Sequence, residues 1–148
     1  MNTAVRPRLC LIEDDEIVGE ALADRFELEG YACDWFRTGG EALRELPRRH
    51  YDLVLSDIHL PDLSGEALFA SLSREIAPLP PYLFITGHGE IDQAVRLLKL
   101  GATDYITKPF EIETLLEKIR SLTGIVTPEG QGAQLGVSPA MRQLEATL

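Results

Sequence analysis

The stretch Leu53-Val54-Leu55-Ser56-Asp57-Ile58-His59-Leu60-Pro61 most limits what this chain can fold into. Leu53, Val54 and Leu55 leave no polar side, so the run reads as a strand buried on both faces, as in a parallel sheet covered by helices. The run stops at Asp57, and Pro61, which has no N–H, keeps the ladder from continuing. Asp57 therefore stands at the carboxyl end of a buried strand, where open α/β sheets bind ligands. Leu9-Cys10-Leu11-Ile12 runs into Glu13-Asp14-Asp15, and Tyr82-Leu83-Phe84-Ile85 runs into Thr86-Gly87. Acids, a hydroxyl and a small residue are thus expected on one rim, with Asp57 in the middle.

The rest of the chain alternates strand and helix. Strands are expected at about 8–13, 31–36, from Asp52, at 82–86 and at 104–107. Helices are expected at about 16–29, from Thr38 to a limit at Pro47, and at 65–75, 90–100 and 111–122. Val18, Ala21, Leu22, Phe26 and Leu28 supply the first helix's apolar face; Ala94, Val95, Leu97 and Leu98 supply the fourth's; Leu115, Leu116 and Ile119 supply the fifth's. Gly30 and Gly101 are placed to end helices, Thr38-Gly39-Gly40-Glu41 has capping-box spacing, and Gly87-His88-Gly89 reads as a mobile loop. Five such alternations predict a parallel sheet with helices on both faces.

A chain of 148 residues allows one ordinary domain with a tail, and its formal charge of −10 argues against a nucleic-acid surface. Cys10 and Cys33 lie in apolar segments and read as reduced core thiols. Met1 to Arg8 is polar, no secretory signal is visible, and no stretch is long enough to span a membrane, so a cytoplasmic setting is the default. From Gly124 to Gln134 the composition turns small and polar, as in a linker. Ser138-Pro139 then reads as the N-cap and first turn of a new helix.

Carboxylates gathered on one rim repel one another unless a cation joins them. Mg²⁺ suits such a site, since it takes one or two carboxylates and keeps waters for a phosphate. Two readings fit Glu13-Asp14-Asp15: a helix cap, or ligands of that ion together with Asp57. Lys108, between the last strand and Pro109, is either a solvated loop lysine or a partner for Asp57 and a phosphoryl oxygen; its peptide bond to Pro109 is a candidate cis bond. Thr86 is either a cap or a hydroxyl donor to that oxygen. Together they compose a phosphoryl-transfer site with Asp57 as nucleophile. No Gly-rich phosphate loop is present, so the phosphoryl donor is expected to be external.

In order and spacing these residues resemble the receiver domain of two-component response regulators over residues 8–123. Ile12-Glu13-Asp14 is similar to the family's acidic pair, Ser56-Asp57-Ile58-His59-Leu60-Pro61 to its phosphoacceptor segment, and Leu63-Ser64-Gly65 to the turn after it. Ile85-Thr86-Gly87 matches the switch hydroxyl, Tyr105 the switch aromatic and Lys108-Pro109-Phe110 the lysine motif. The resemblance implies a flavodoxin-like (βα)5 fold with strand order 2-1-3-4-5, and Mg²⁺-dependent phosphotransfer from a histidine kinase to Asp57. It implies that Asp14 and Asp57 bind Mg²⁺ directly, that the backbone carbonyl of His59 adds a ligand, and that Glu13 acts largely through water. Glutamate at position 13 stands where aspartate is commoner, and Asp15 is left as a cap. His59 and His88 follow Asp57 and Thr86 by two residues, at positions that tune dephosphorylation in the family; the alternative for each is a solvated loop residue.

Thr86-Gly87-His88-Gly89-Glu90-Ile91, Ala94-Val95 and Leu100-Gly101-Ala102 are especially similar to the NtrC-type branch, the sigma-54-dependent activators. Leu135-Gly136-Val137-Ser138-Pro139-Ala140-Met141 is similar to the opening of that branch's AAA+ ATPase domain. The implied organisation is an arm at 1–7, a receiver domain at 8–123, a linker at 124–134 and the start of an ATPase domain at 135–148. The expected role is a phosphorylation switch, not a turnover enzyme. Thr86 moves toward the phosphoryl group, Tyr105 fills the space behind it, and the face of helix four, strand five and helix five changes shape. Its expected partners are a kinase, a second copy of the chain and the downstream ATPase. Small phosphodonors are expected to label it with Mg²⁺, and autodephosphorylation to be slow. The alternatives are a stand-alone docking module, a degenerate and constitutively docked receiver, which the complete acidic site disfavours, or a phosphatase using an aspartyl phosphate. That last class usually carries a second aspartate where this chain has His59.

Overall fold

The computed structural model describes residues 6–124. Its elements alternate: β1 (Arg8–Ile12), α1 (Glu16–Leu28), β2 (Ala32–Phe36), α2 (Gly39–Glu45), β3 (Leu53–Asp57), α3 (Gly65–Glu75), β4 (Tyr82–Thr86), α4 (Ile91–Lys99), β5 (Asp104–Thr107) and α5 (Ile112–Thr123). Every strand pairing is parallel and the order is β2-β1-β3-β4-β5, as expected for the flavodoxin-like fold. All five residues of the central strand β3 are buried, and so are all five of β4. The continuous apolar runs in the sequence reflect this two-sided burial.

Side chains alternate across the sheet. On one face Cys10, Val54, Tyr82 and Phe84 meet Leu68, Phe69 and Leu72 of α3 and Ala94 and Leu97 of α4. Phe69 stands edge-on to Tyr82 with ring centroids 5.0 Å apart, so aromatic packing ties α3 to β4. On the other face lie Leu9, Leu11, Leu53 and Leu55, with Leu22 and Phe26 of α1 also fully or almost fully buried. The described residues up to Leu115 belong to one compact unit; of a second, which begins at Leu116, only the rest of α5 and Gly124 are described. Leu115, Leu116 and Ile119 are buried as their spacing predicts.

Local signals work largely as read. Asp15 caps α1 by accepting from the Ile17 and Val18 amides. Thr38 caps α2 and Ser64 caps α3. Gly30 and Gly101 take φ values of 98° and 121°, which other residues rarely adopt.

Several expectations are corrected. Ala21 and Leu28 face solvent, because the buried stripe of α1 is Gly19, Leu22 and Phe26. Val95 is also exposed, one position round the helix from buried Ala94. Within the segment expected to be the Gly87-His88-Gly89 loop, residues 88–90 form a 3₁₀ turn, held by Glu90 accepting from the Gly87 amide, and α4 starts after it at Ile91. Another 3₁₀ turn, Leu46–Arg48, carries Pro47 after α2. Residues 6 and 7 are not a free arm: the Arg6 guanidinium reaches Glu27 and the Tyr31 carbonyl, and the Pro7 carbonyl accepts from Ala32.

Cys10 and Cys33 are free thiols, Cys10 buried and Cys33 half-buried on the edge strand. Burial, aided by nearby acids, pushes the Cys33 thiol up to about 12, which disfavours the nucleophilic thiolate. The expected linker and ATPase start, residues 125–148, and the first five residues of the arm lie outside the described residues. Among the described residues no helix is long and apolar enough to cross a membrane.

Candidate functional site

The parallel sheet brings all its strand ends to one rim, and register sets who meets whom. Ile12 pairs with Ser56, so Glu13 and Asp14, just past β1, come level with Asp57 at the end of β3. Asp57 pairs with Ile85, and Thr86 with Thr107, so Thr86 and Lys108 stand beside them on the other side. Carboxylate oxygens of Glu13, Asp14 and Asp57 all lie within 4.8 Å of one another. The cluster read from three separate segments of sequence is therefore one cluster in space.

Asp57 is almost fully buried, and both its oxygens are held. Oδ1 accepts the His59 amide at 3.1 Å and Oδ2 accepts the Lys108 ammonium at 3.1 Å. Lys108 is aimed by its own backbone, whose N–H donates to the Thr86 carbonyl at 2.7 Å, and its bond to Pro109 is cis. Burial opposes the Lys108 charge, but the Asp57 hydrogen bond and the surrounding acids outweigh it and hold its pKa above the ordinary value.

Glu13 is buried. Its backbone is fixed to β2 at both ends: its amide donates to the Phe36 carbonyl at 3.0 Å, and its carbonyl accepts the Trp35 indole N–H at 2.8 Å. One carboxylate oxygen accepts the Asp15 amide; the other, Oε1, is buried without a hydrogen-bond partner. Burial raises the Glu13 pKa, and Asp57 and Asp14 push it the same way. Three carboxylates against one ammonium leave two negative charges, which a single divalent cation cancels. The orphaned buried oxygen and the hard all-oxygen donor set fit Mg²⁺. Asp14 is exposed and Glu13 buried, so the pocket has an open side and a closed one.

Two backbone features close the loop after β3. Gly65 brings its amide to the Ile58 carbonyl at 2.6 Å, and a Cβ there would meet Ile58 backbone atoms at 2.8–2.9 Å. Asp62 accepts from the Gly39 and Gly40 amides, tying this loop to the start of α2.

Thr86 and Tyr105, the expected switch residues, show no hydrogen bond to Asp57. The buried Thr86 hydroxyl donates toward the Gly87 carbonyl at 3.1 Å and Glu90 Oε1 at 3.3 Å. Tyr105, opposite Phe84 in the ladder, is half-buried against the α3–α4 side of the core, on the same face as Thr86. His59 is exposed, yet its imidazole pairs with Glu90. His88 is exposed on the 3₁₀ turn. Sequence reasoning missed Glu90, Asp62 and Trp35 as parts of the rim. Glu90 carried a local signal, an acid three residues after Gly87 in capping position; the contacts of Asp62 and Trp35 are long-range and left none.

Residues 9–120 match the family model described as the response regulator receiver domain. The chain belongs to that family. It is 35% identical over 138 residues to the response regulator protein FleR of Pseudomonas aeruginosa, covering 93% of this chain and 29% of FleR. It is 33% identical to the C4-dicarboxylate transport transcriptional regulatory protein DctD of Rhizobium meliloti, covering 96% of this chain and 34% of DctD. The chain thus spans about a third of the length of these relatives. Among solved structures, the non-phosphorylated HemR receiver domain of Leptospira biflexa matches with a TM-score of 0.75 at 33% identity, covering 84% of this chain and 99% of that one. NtrX of Brucella abortus, in a structure with ADP, matches with a TM-score of 0.74 at 27% identity, covering 81% of this chain and 27% of NtrX.

Proposed function

We propose that this receiver domain is a phosphorylation switch in which Asp57 accepts a phosphoryl group from a histidine kinase. The observation that carries the reading is the meeting of Glu13, Asp14 and Asp57, with Lys108 bound to Asp57. An Asp57 oxygen attacks phosphorus, the phosphorus–nitrogen bond of the donor phosphohistidine breaks, and the freed imidazole takes up a proton. The product is an acyl phosphate on Asp57. Lys108 is placed to neutralise a phosphoryl oxygen in transit, and the His59 amide orients the attacking carboxylate. Glu13, Asp14, Asp57 and the His59 carbonyl are the groups that would hold Mg²⁺, which when bound withdraws charge from the phosphoryl oxygens. Thr86 then turns to the phosphoryl group, Tyr105 follows, and α4, β5 and α5 carry the change to partners.

The output we infer is a sigma-54-dependent activator's AAA+ ATPase, with the chain acting in the cytoplasm and as a dimer. The alignments with FleR and DctD cover 93% and 96% of the chain, whereas the family model stops at residue 120. The similarity thus runs on into the segment that resembles an ATPase opening. A switch, not a phosphatase, is favoured because His59 occupies the place of the second aspartate and pairs with Glu90.

Acetyl phosphate with Mg²⁺ is the direct test. Stoichiometric labelling of the wild type, lost in Asp57→Asn and without Mg²⁺, is the expected result. Labelling retained in Asp57→Asn overturns the assignment, and multiple-turnover hydrolysis of a free phosphomonoester revives the phosphatase.

A further inference from the structure

Three groups converge on the carboxylate of Glu90. Oε1 accepts the Gly87 amide at 3.0 Å and the Thr86 hydroxyl at 3.3 Å, and Oε2 pairs with the His59 imidazole. They come from the end of β4, the turn after it and the loop after β3, so one side chain joins three segments of the rim. Glu90 is only 24% exposed, which favours a persistent contact. Thr86 has a single proton to donate, and here both acceptors within its reach, Gly87 O and Glu90 Oε1, belong to the turn that leads into α4. His59 is likewise shared, its amide on Asp57 and its imidazole on Glu90.

A phosphoryl group on Asp57 would compete for both. It offers Thr86 a more highly charged acceptor than the Gly87 carbonyl or the Glu90 carboxylate, which is shared with the Gly87 amide and His59, and it brings negative charge toward Glu90. We propose that Glu90 is a positioning residue that holds the Thr86 hydroxyl and the His59 imidazole off the phosphoryl site, and that phosphorylation displaces it. The proposal rests on the reading of Asp57 as phosphoacceptor. Glu90 directly precedes Ile91, the first residue of α4, so its release loosens the 3₁₀ turn and frees the start of that helix. The route from the phosphoryl group to α4 is then the shift of one hydroxyl hydrogen bond from the turn to the phosphoryl group.

Beryllofluoride with Mg²⁺ mimics the phosphoryl group on a carboxylate, and its binding to the full chain is read by fluorine NMR. Glu90→Ala is expected to bind it about three- to tenfold more tightly than wild type, the range of one or two weak hydrogen bonds removed from the unliganded state. Glu90→Gln, whose amide oxygen still accepts from Thr86 and Gly87, is expected to gain less; it also serves if the alanine variant fails to fold. In a Thr86→Ala background the gain from Glu90→Ala is expected to shrink to the part that the His59 contact and the Glu90 charge contribute. An equal gain with and without Thr86 overturns the proposal, since it reduces Glu90 to a repelling charge. So does unchanged or weaker binding by both Glu90 variants. Absence of binding by the wild type, or binding that survives Asp57→Asn, overturns the phosphoacceptor reading and the latch with it.

Discussion

Glu13 carries a buried carboxyl group with one oxygen bonded to the Asp15 amide and one bonded to nothing. Burial, with Asp57 and Asp14, raises its pKa above the ordinary 4.5. A raised carboxyl pKa contributes stability that is full below the unfolded value and lost as pH rises through the folded one. Ionising Glu13 therefore costs the metal-free fold stability. Glu13→Gln keeps the shape and removes the charge. Its thermal midpoint without metal is expected to exceed the wild type's, and the further gain on adding Mg²⁺ to shrink; thermal unfolding with and without Mg²⁺ reads both. An undiminished gain from Mg²⁺ would place the ion elsewhere. Gly19 makes a second residue-scale case. It lies mid-helix, where alanine normally stabilises by about 1 kcal/mol. Here a Cβ would run into the Trp35 ring, whose N–H holds the Glu13 carbonyl. Gly19→Ala is expected to destabilise by about 1–3 kcal/mol instead, seen in denaturant unfolding, and to weaken Mg²⁺ binding by shifting that indole. The carboxylates were legible because each ends an apolar run. The Gly19–Trp35 contact was not, because a glycine and an aromatic ring in different elements leave no periodic trace.

At the scale of the element, α2 shows how a short helix is held in place. Gly39 to Glu45 is too short to be stable by itself, and its first amides need acceptors from outside. Thr38 supplies one; Asp62, from the loop after β3, supplies two more through the Gly39 and Gly40 amides. Partial burial works against the Asp62 charge, but these backbone hydrogen bonds prevail and hold its pKa below the ordinary carboxylate range. Its stabilising effect is therefore full above the unfolded value and lost as pH falls through the depressed folded one. Asp62→Ala is expected to cost about 1 kcal/mol at neutral pH, and the gap from wild type to close as the solution is acidified past the carboxylate range. Urea unfolding across that range checks it, and a gap that widens toward acid refutes it. The capping by Thr38 was readable from a four-residue pattern, whereas Asp62 lies more than twenty residues away in the chain. The misplaced Leu28 and Val95 have a similar cause. Apolar type alone suggested burial, but Leu28 sits about 200° round the helix from Phe26, and Val95 about 100° from Ala94.

At the scale of the molecule, one consequence of topology governs the site. Because every strand runs the same way, every strand end lies on one rim, and sequence signals scattered from Glu13 to Lys108 add up there. The strand order inverts between β1 and β3, which opens the crevice that Asp57 occupies. All the proposed chemical groups, Glu13, Asp14, Asp57, His59, Thr86 and Lys108, belong to the first compact unit, and the buried strands that fix them belong to it too. On the proposed reading, phosphoryl acceptance needs only residues before α5. A chain ended after Gly124 keeps α5 and its buried Leu115, Leu116 and Ile119. It is expected to unfold at the same midpoint as the full chain and to be labelled by acetyl phosphate at the same rate, with Mg²⁺ required by both. A large loss of labelling in the shortened chain, with its fold intact by circular dichroism, would mean that residues 125–148 take part in the acceptor site itself. The division between a self-sufficient acceptor rim and a separate output segment would then be wrong.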